Sequence, residues 1–292
     1  MKHQNLSRRS AMKKMAGAAA LVGTPAIHLG TTTDAPAKLK GNINHSVCKW
    51  CYSDFSLEEL AQQAVTMGIK SIEIVGPEAY DTLKKYGLSC AMSNGPSSGS
   101  ISKNINRIAH HAEIVPDYKV RIGEVADAGF TNLIMFSGNR EGMDDDEGME
   151  NCAKAIKQVV GDAEKRGVML CMELLNSKVN HADYMCDHVE WGVKLVDMVG
   201  SDNFKLLYDI YHMQIMDGDV IRTIRDYKDY FGHYHTGGNP GRNEIDETQE
   251  LNYPAIMEAI VDTGYTGFVG QEFIPVRDPM ASLRQAIWIC DV

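Results

Sequence analysis

Phe204-Lys205-Leu206-Leu207-Tyr208-Asp209 is a short apolar run that ends on a carboxylate, and the same shape recurs three times in the second half of the chain. Val168 to Glu173 ends on a glutamate, Gly232 to His235 on a histidine, and Gly267 to Glu272 on a glutamate again. Short, nearly continuous apolar runs read as strands buried on both faces, as in a parallel sheet covered by helices. Toward the N-terminus, Asn44 to Trp50, Ser71 to Val75, Leu88 to Met92 and Asn132 to Phe136 are four further strand candidates. Helical sequence lies between them. Ser56-Leu57-Glu58-Glu59 is a capping box opening a helix that ends near Gly68. Tyr80 to Tyr86 is a helical turn, and helical segments interrupted at Pro116 end at Gly129. Glu147 to Arg166 reads as one long helix, with Asp144-Asp145-Asp146-Glu147 as favourable charge at its N-terminus. Later helices run over about 181–199, 220–227, 253–263 and 279–289. Strands alternating with helices in this number predict a single α/β domain, a (β/α)8 barrel over residues 38–292. The alternative, an open doubly wound sheet, is disfavoured because no glycine-rich phosphate fingerprint follows the first strand.

Composition narrows the function. The 292 residues are 44% hydrophobic and 23% charged, enough apolar material for a full core. Five of the 29 basic residues and none of the 39 acidic ones fall in positions 1–30, so the rest of the chain carries -15 (24 against 39). A body that acidic repels phosphate backbones and excludes nucleic acid as a partner. No run approaches the roughly 20 apolar residues of a membrane span. The seven cysteines are scattered and odd in number, which is no disulfide framework, and Cys48-x-x-Cys51 lacks the second pair of a structural zinc site.

Barrels gather their ligands at the C-terminal ends of the strands. Glu173, Asp209, His235 and Glu272 stand at four successive strand ends, 36, 26 and 37 residues apart, or about one βα unit each. Singly, each is an ordinary rim residue or cap. Together, three carboxylates and one imidazole at one mouth would repel one another unless a cation held them. Such a hard, mostly oxygen donor set suits Mn2+, Mg2+ or Co2+, with Zn2+ as the further candidate.

Residues 1–37 read as an address. Ser7-Arg8-Arg9-Ser10 precedes a weakly hydrophobic run from Met15 to Gly23, and Ala35-Pro36-Ala37 supplies small residues beyond it. This is the layout of a secretory signal, and the paired arginines with Ala and Gly in place of Leu resemble a twin-arginine signal. The expectation is export by the twin-arginine machinery to the periplasm, with the mature chain starting near Lys38. The alternative is a basic N-terminus retained on a cytoplasmic protein. No cysteine follows the apolar run, so no lipid anchor or stable membrane attachment is expected.

The runs MELLNSKVNH (172–181), YDIYHMQIMDGD (208–219), HYHTGGNPGRNE (233–244), QELNY (249–253) and GQEFIP (270–275), with FSGNREG (136–142), closely resemble the hydroxypyruvate isomerase family. That family lies among the xylose isomerase-like barrels, beside ketose 3-epimerases and inosose dehydratases. The resemblance extends from about Asn42 to the C-terminus. It implies that Glu173, Asp209, His235 and Glu272 bind one divalent metal, the same four residues that strand-end reasoning selects. It further implies that Glu173 and Glu272 act as acid and base, and that His212 and Arg242 contact a small sugar or hydroxy-keto acid substrate. Lys178 and Arg242 are the expected cations for a substrate carboxylate or hydroxyl. The implied reaction is aldose-ketose isomerisation, of hydroxypyruvate or a ketose. A proton leaves carbon beside a carbonyl, and the resulting enediolate takes it back on the neighbouring carbon. The same site also suits an epimerase, dehydratase or lyase of a sugar. A non-catalytic carbohydrate-binding barrel would be expected to lack one of the glutamates, and both are present.

Overall fold

The structure is a computed structural model that describes residues 38–292. The expected leader at 1–37 lies outside the described residues. Seven parallel strands form one curled sheet: β1 (Asn44–Cys48), β2 (Ser71–Glu73), β3 (Asn132–Met135), β4 (Met169–Glu173), β5 (Phe204–Asp209), β6 (Phe231–Thr236) and β7 (Phe268–Gln271), in the order β2-β1-β7-β6-β5-β4-β3. The eighth stave is the expected strand Leu88 to Met92, which is not a regular strand here. Ile72 donates to Ser89 O (3.2 Å) and Ile74 to Met92 O (2.8 Å), while Ser93 donates to Asn132 O (2.9 Å) and accepts from Ile134 (3.0 Å). The segment thus joins β2 to β3 and closes the barrel. Its ladder is broken because Ser71 Oγ accepts the Ala91 N–H at 2.7 Å.

Helices clothe the barrel, and their ends follow the sequence. The helix α1 (Leu57–Met67) has the expected capping box at Ser56 and a left-handed C-cap at Gly68 (φ 79). After α2 (Pro77–Lys85), α3 (Ile108–Asp127) runs unbroken through Pro116, contrary to the expected interruption. Pro116 and Ala112 are exposed, so water can serve the carbonyl that proline leaves without a donor. The expected long helix is two, α4 (Asp145–Ile156), capped by Asp144, and α5 (Val160–Arg166). The remainder are α6 (Val189–Val199), α7 (Ile210–Met216), α8 (Val220–Asp226), α9 (Tyr253–Asp262) and α10 (Pro279–Cys290). Among the described residues no helix is long and apolar enough to cross a membrane.

Two apolar layers result from strand alternation. A large cluster lies between strands and helices, and a small one of Met92, Ile134, Cys171 and Leu207 fills the barrel interior beneath the strand ends. His45 in β1 is 1% exposed, and neither ring nitrogen has a hydrogen-bond partner. Burial lowers its pKa from 6.5 to about 4. The unfolded chain therefore takes up a proton that the folded chain refuses, so this contribution is complete above pH 6.5 and is lost as pH falls toward 4. Between pH 7 and pH 4.5 the loss is about 2.5 kcal/mol. Urea unfolding of His45→Leu at both pH values is expected to show that much less acid sensitivity than the parent; an equal drop in both proteins would contradict it.

Candidate metal centre and its cavity

Strand alternation aims four side chains into the barrel mouth. Glu173 is the last residue of β4, Asp209 the last of β5 and His235 lies in β6, while Glu272 directly follows β7. Ligand-capable atoms of all four lie within 4.8 Å of one another, and all four residues are buried. His235 Nδ1 is 2.8 Å from Glu272 Oε2 and 3.5 Å from Glu173 Oε1. These contacts are out of line for a hydrogen bond, so Nδ1 and Glu173 Oε1 are buried polar atoms without a partner. Such orphans are rare in a native interior and point to a group the side chains were shaped to hold.

Electrostatics point the same way. Burial pushes Asp209 up to about 8 and also raises Glu173, against the pull of Arg242 and His235 respectively. Burial would lower His235, yet Glu272 and its other neighbours drive it well above its ordinary value. Burial raises Glu272 too, but Arg242 and His235 outweigh it and hold that carboxyl well below the usual range. A cluster that resists ionising two of its three acids and over-attracts a proton to its imidazole is short of positive charge. The residues present fit a divalent cation.

Arg242 partly answers that demand. Its Nη2 donates to Glu272 Oε2 (2.6 Å) and lies 3.3 Å from Asp209 Oδ2. The guanidinium sits over the rings of Trp50 (5.1 Å) and Tyr211 (5.6 Å). Its backbone is left-handed (φ 60), held by the Arg242 N–H on Gly238 O (2.7 Å) and by Ile274 N–H on Arg242 O (2.6 Å). Trp50 Nε1 donates to the other oxygen of Glu272 at 2.7 Å.

His212 enters on α7, whose N-cap is Asp209: the carboxylate accepts the His212 N–H at 3.0 Å. The Asn176 backbone N–H donates to His212 Nδ1 (3.1 Å), which places the ring proton on Nε2. Burial and Arg242 lower its pKa well below normal, so the ring is a neutral donor, with Nε2 3.7 Å from Asp209 Oδ2. The D-x-x-H spacing is thus a helix cap and a site residue at once.

The structure brings Glu173, Asp209, His235, Glu272, Arg242 and His212 together, and it does not bring Lys178. That residue is exposed, with Nζ on the carbonyls of Ile215 (3.1 Å) and Met216 (3.0 Å) at the C-terminus of α7, where the helix dipole favours a cation. Beside the cluster is a cavity of about 320 Å3, whose walls include Trp50, Ile74, Ile101, Phe136, Leu175 and His181. Ile74 lines it from a left-handed backbone (φ 55), an uncommon strain for a β-branched residue. Sequence reasoning missed Trp50, Asn176, His181 and the buried Glu73. For Glu73 a signal existed: it is the one charged residue in the run Ser71 to Val75. Cys48 and Cys51 are free thiols, and burial raises both well above their normal pKa.

A closed parallel barrel that converges three carboxylates and an imidazole on one point is an α/β barrel with a candidate cation site at its mouth. Residues 61–290 match the family described as xylose isomerase-like TIM barrel, and the chain belongs to that family. It is 39% identical over 114 residues to hydroxypyruvate isomerase of Escherichia coli, covering 38% of this chain and 44% of that protein, so the match spans less than half of the relative's length. It is 24% identical over 237 residues to 2-oxo-tetronate isomerase of Haemophilus influenzae, covering 76% and 89%. Among solved structures it resembles an AP endonuclease, family 2, from Brucella melitensis (TM-score 0.75, 24% identity, 82% and 97% covered), a likeness of fold.

Proposed function

We propose that this protein is a divalent-metal-dependent isomerase that moves a proton between adjacent carbons of a small hydroxycarbonyl compound. The observation that carries it is the convergence of Glu173, Asp209, His235 and Glu272, buried and partly unpartnered, beside a cavity of small-molecule size. A bound Mn2+, Mg2+ or Co2+, with Zn2+ as the further candidate, supplies Lewis-acid stabilisation of the charge that develops on a substrate oxygen. Glu272 takes the carbon-bound proton and returns it to the neighbouring carbon, and Glu173 faces the reacting carbons from the other side as the second acid-base group. The hydroxyl proton passes from one substrate oxygen to the other. His212 offers its Nε2–H to a substrate oxygen. Arg242 and Trp50 orient Glu272 through its two oxygens.

Of the two substrate classes the sequence suggests, the cavity favours the ketose over the keto acid. Glu173, Asp209, Glu272 and the buried Glu73 outnumber the positive charges of Arg242 and a divalent ion, so the site has no surplus positive charge before substrate arrives. Among the described residues lining the cavity, Arg242 is the only cationic side chain, and it is engaged with Glu272. A substrate carboxylate would enter without a partner at considerable cost. The aliphatic and aromatic walls suit the C–H face of an uncharged sugar. Solvent-deuterium exchange by the metal-loaded protein is expected to be at least tenfold faster with a ketose such as fructose, tagatose or psicose than with hydroxypyruvate. Faster exchange with hydroxypyruvate would restore the keto acid, and no exchange with any of them would remove the isomerase.

A further inference from the structure

On the far side of His235 from the three carboxylates lies a second buried cluster, which the reaction above does not use. His235 Nε2 is 2.9 Å from Glu73 Oε1, His233 Nε2 is 3.0 Å from the same oxygen, and Cys48 Sγ is 3.5 Å from it. Glu73, His233, His235 and Cys48 are all completely buried. His233 and His235 are two apart in β6 and therefore share its inward face. Gly270 of β7 stands beside them, where a Cβ would fall on Glu73 Oε1 and approach His235 Cδ2 to 2.9 Å. That clearance explains why the GQEFIP stretch opens on glycine.

We propose that Glu73 is a positioning residue: it accepts the Nε2–H of His235, so that the Nδ1 lone pair faces Glu173 and Glu272, while His233 braces Glu73 from the side. The inference rests on the metal-centre reading of the four strand-end residues. A neutral imidazole carries one proton, and the partner at one nitrogen decides which nitrogen is left to ligate. Two imidazole nitrogens meeting one carboxylate oxygen at hydrogen-bond distance are compatible when both donate. With Nε2 pinned, the ring cannot turn to present its other nitrogen. The carboxylate, in turn, is held in the interior by two imidazole donors on its Oε1, while its Oε2 is buried without a partner.

The experiment compares the full-length parent with Glu73→Gln and His233→Asn, measuring Mn2+ affinity by titration calorimetry, ions bound per chain, and the visible spectrum of the Co2+-loaded protein. Glu73→Gln is expected to weaken Mn2+ binding by about 10–100-fold and to shift the Co2+ bands, with His233→Asn acting in the same direction but less. Parental affinity and an unchanged Co2+ spectrum in a folded Glu73→Gln protein would overturn the proposal. If that variant does not fold, His233→Asn decides, and parental affinity there overturns it. Two ions per chain would make Glu73 a ligand of its own site and also overturn it. A parent that binds no Mn2+ at all would take down the metal centre itself, an outcome distinct from a parent that binds and variants that bind equally well.

Discussion

Glu272→Gln is expected to lower proton exchange into substrate by about 10²–10⁴-fold, the usual worth of a positioned general acid or base. Glutamine keeps the length and shape of the side chain, and its amide oxygen can still accept from Trp50 or Arg242. What it loses is the ability to take a proton from carbon. In the folded chain Glu272 has Trp50 on one oxygen and Arg242 and His235 against the other. Those neighbours hold it ionised against burial, which is the state a proton acceptor needs. Exchange kinetics at saturating Mn2+, alongside a melting curve to show an intact fold, make the measurement. A variant that exchanges at the parental rate would release Glu272 from the reaction.

Metal loading should move stability by a comparable margin. Asp209, Glu173 and Glu272 are packed into one buried corner with Arg242 as the nearest fixed counter-charge. A ligand that binds only the folded chain stabilises it by about 4 kcal/mol when present at about a thousand times its dissociation constant. For a chain of this size each kcal/mol raises the melting temperature by roughly 2–4 °C, so chelated and Mn2+-saturated protein should differ by about 10 °C. Calorimetric scans with chelator and with Mn2+ would show it. Coincident transitions would mean that no ion is held.

Glu173, Asp209, His235 and Glu272 were legible in the sequence because each closes an apolar strand, and strand ends face one another across a barrel by topology alone. His212 and Arg242 were legible through the resemblance of their motifs. Lys178 was not, because its amine is claimed by the end of α7, a contact set by tertiary structure. The role of Glu73 was hidden for a similar reason. A lone acid within a strand stands out in the sequence, but its role appears only when β6 brings two imidazoles to the same oxygen. Backbone departures followed a similar rule. The stave at 88–93 looked like its neighbours in composition, but a side chain on β2 takes one of its amide protons. Pro116 looked like a breaker, but its turn faces water.

Trp50 adds a property of a different kind. Its indole nitrogen is tied to Glu272 and its ring lies beneath the Arg242 guanidinium, so a chromophore sits directly on the Glu272 carboxylate. Of the three tryptophans, Trp288 stands far out in solvent and Trp191 donates to Asp145 O on the helical shell. The barrel mouth therefore carries its own optical probe, whose emission is tuned by whichever charges stand beside it.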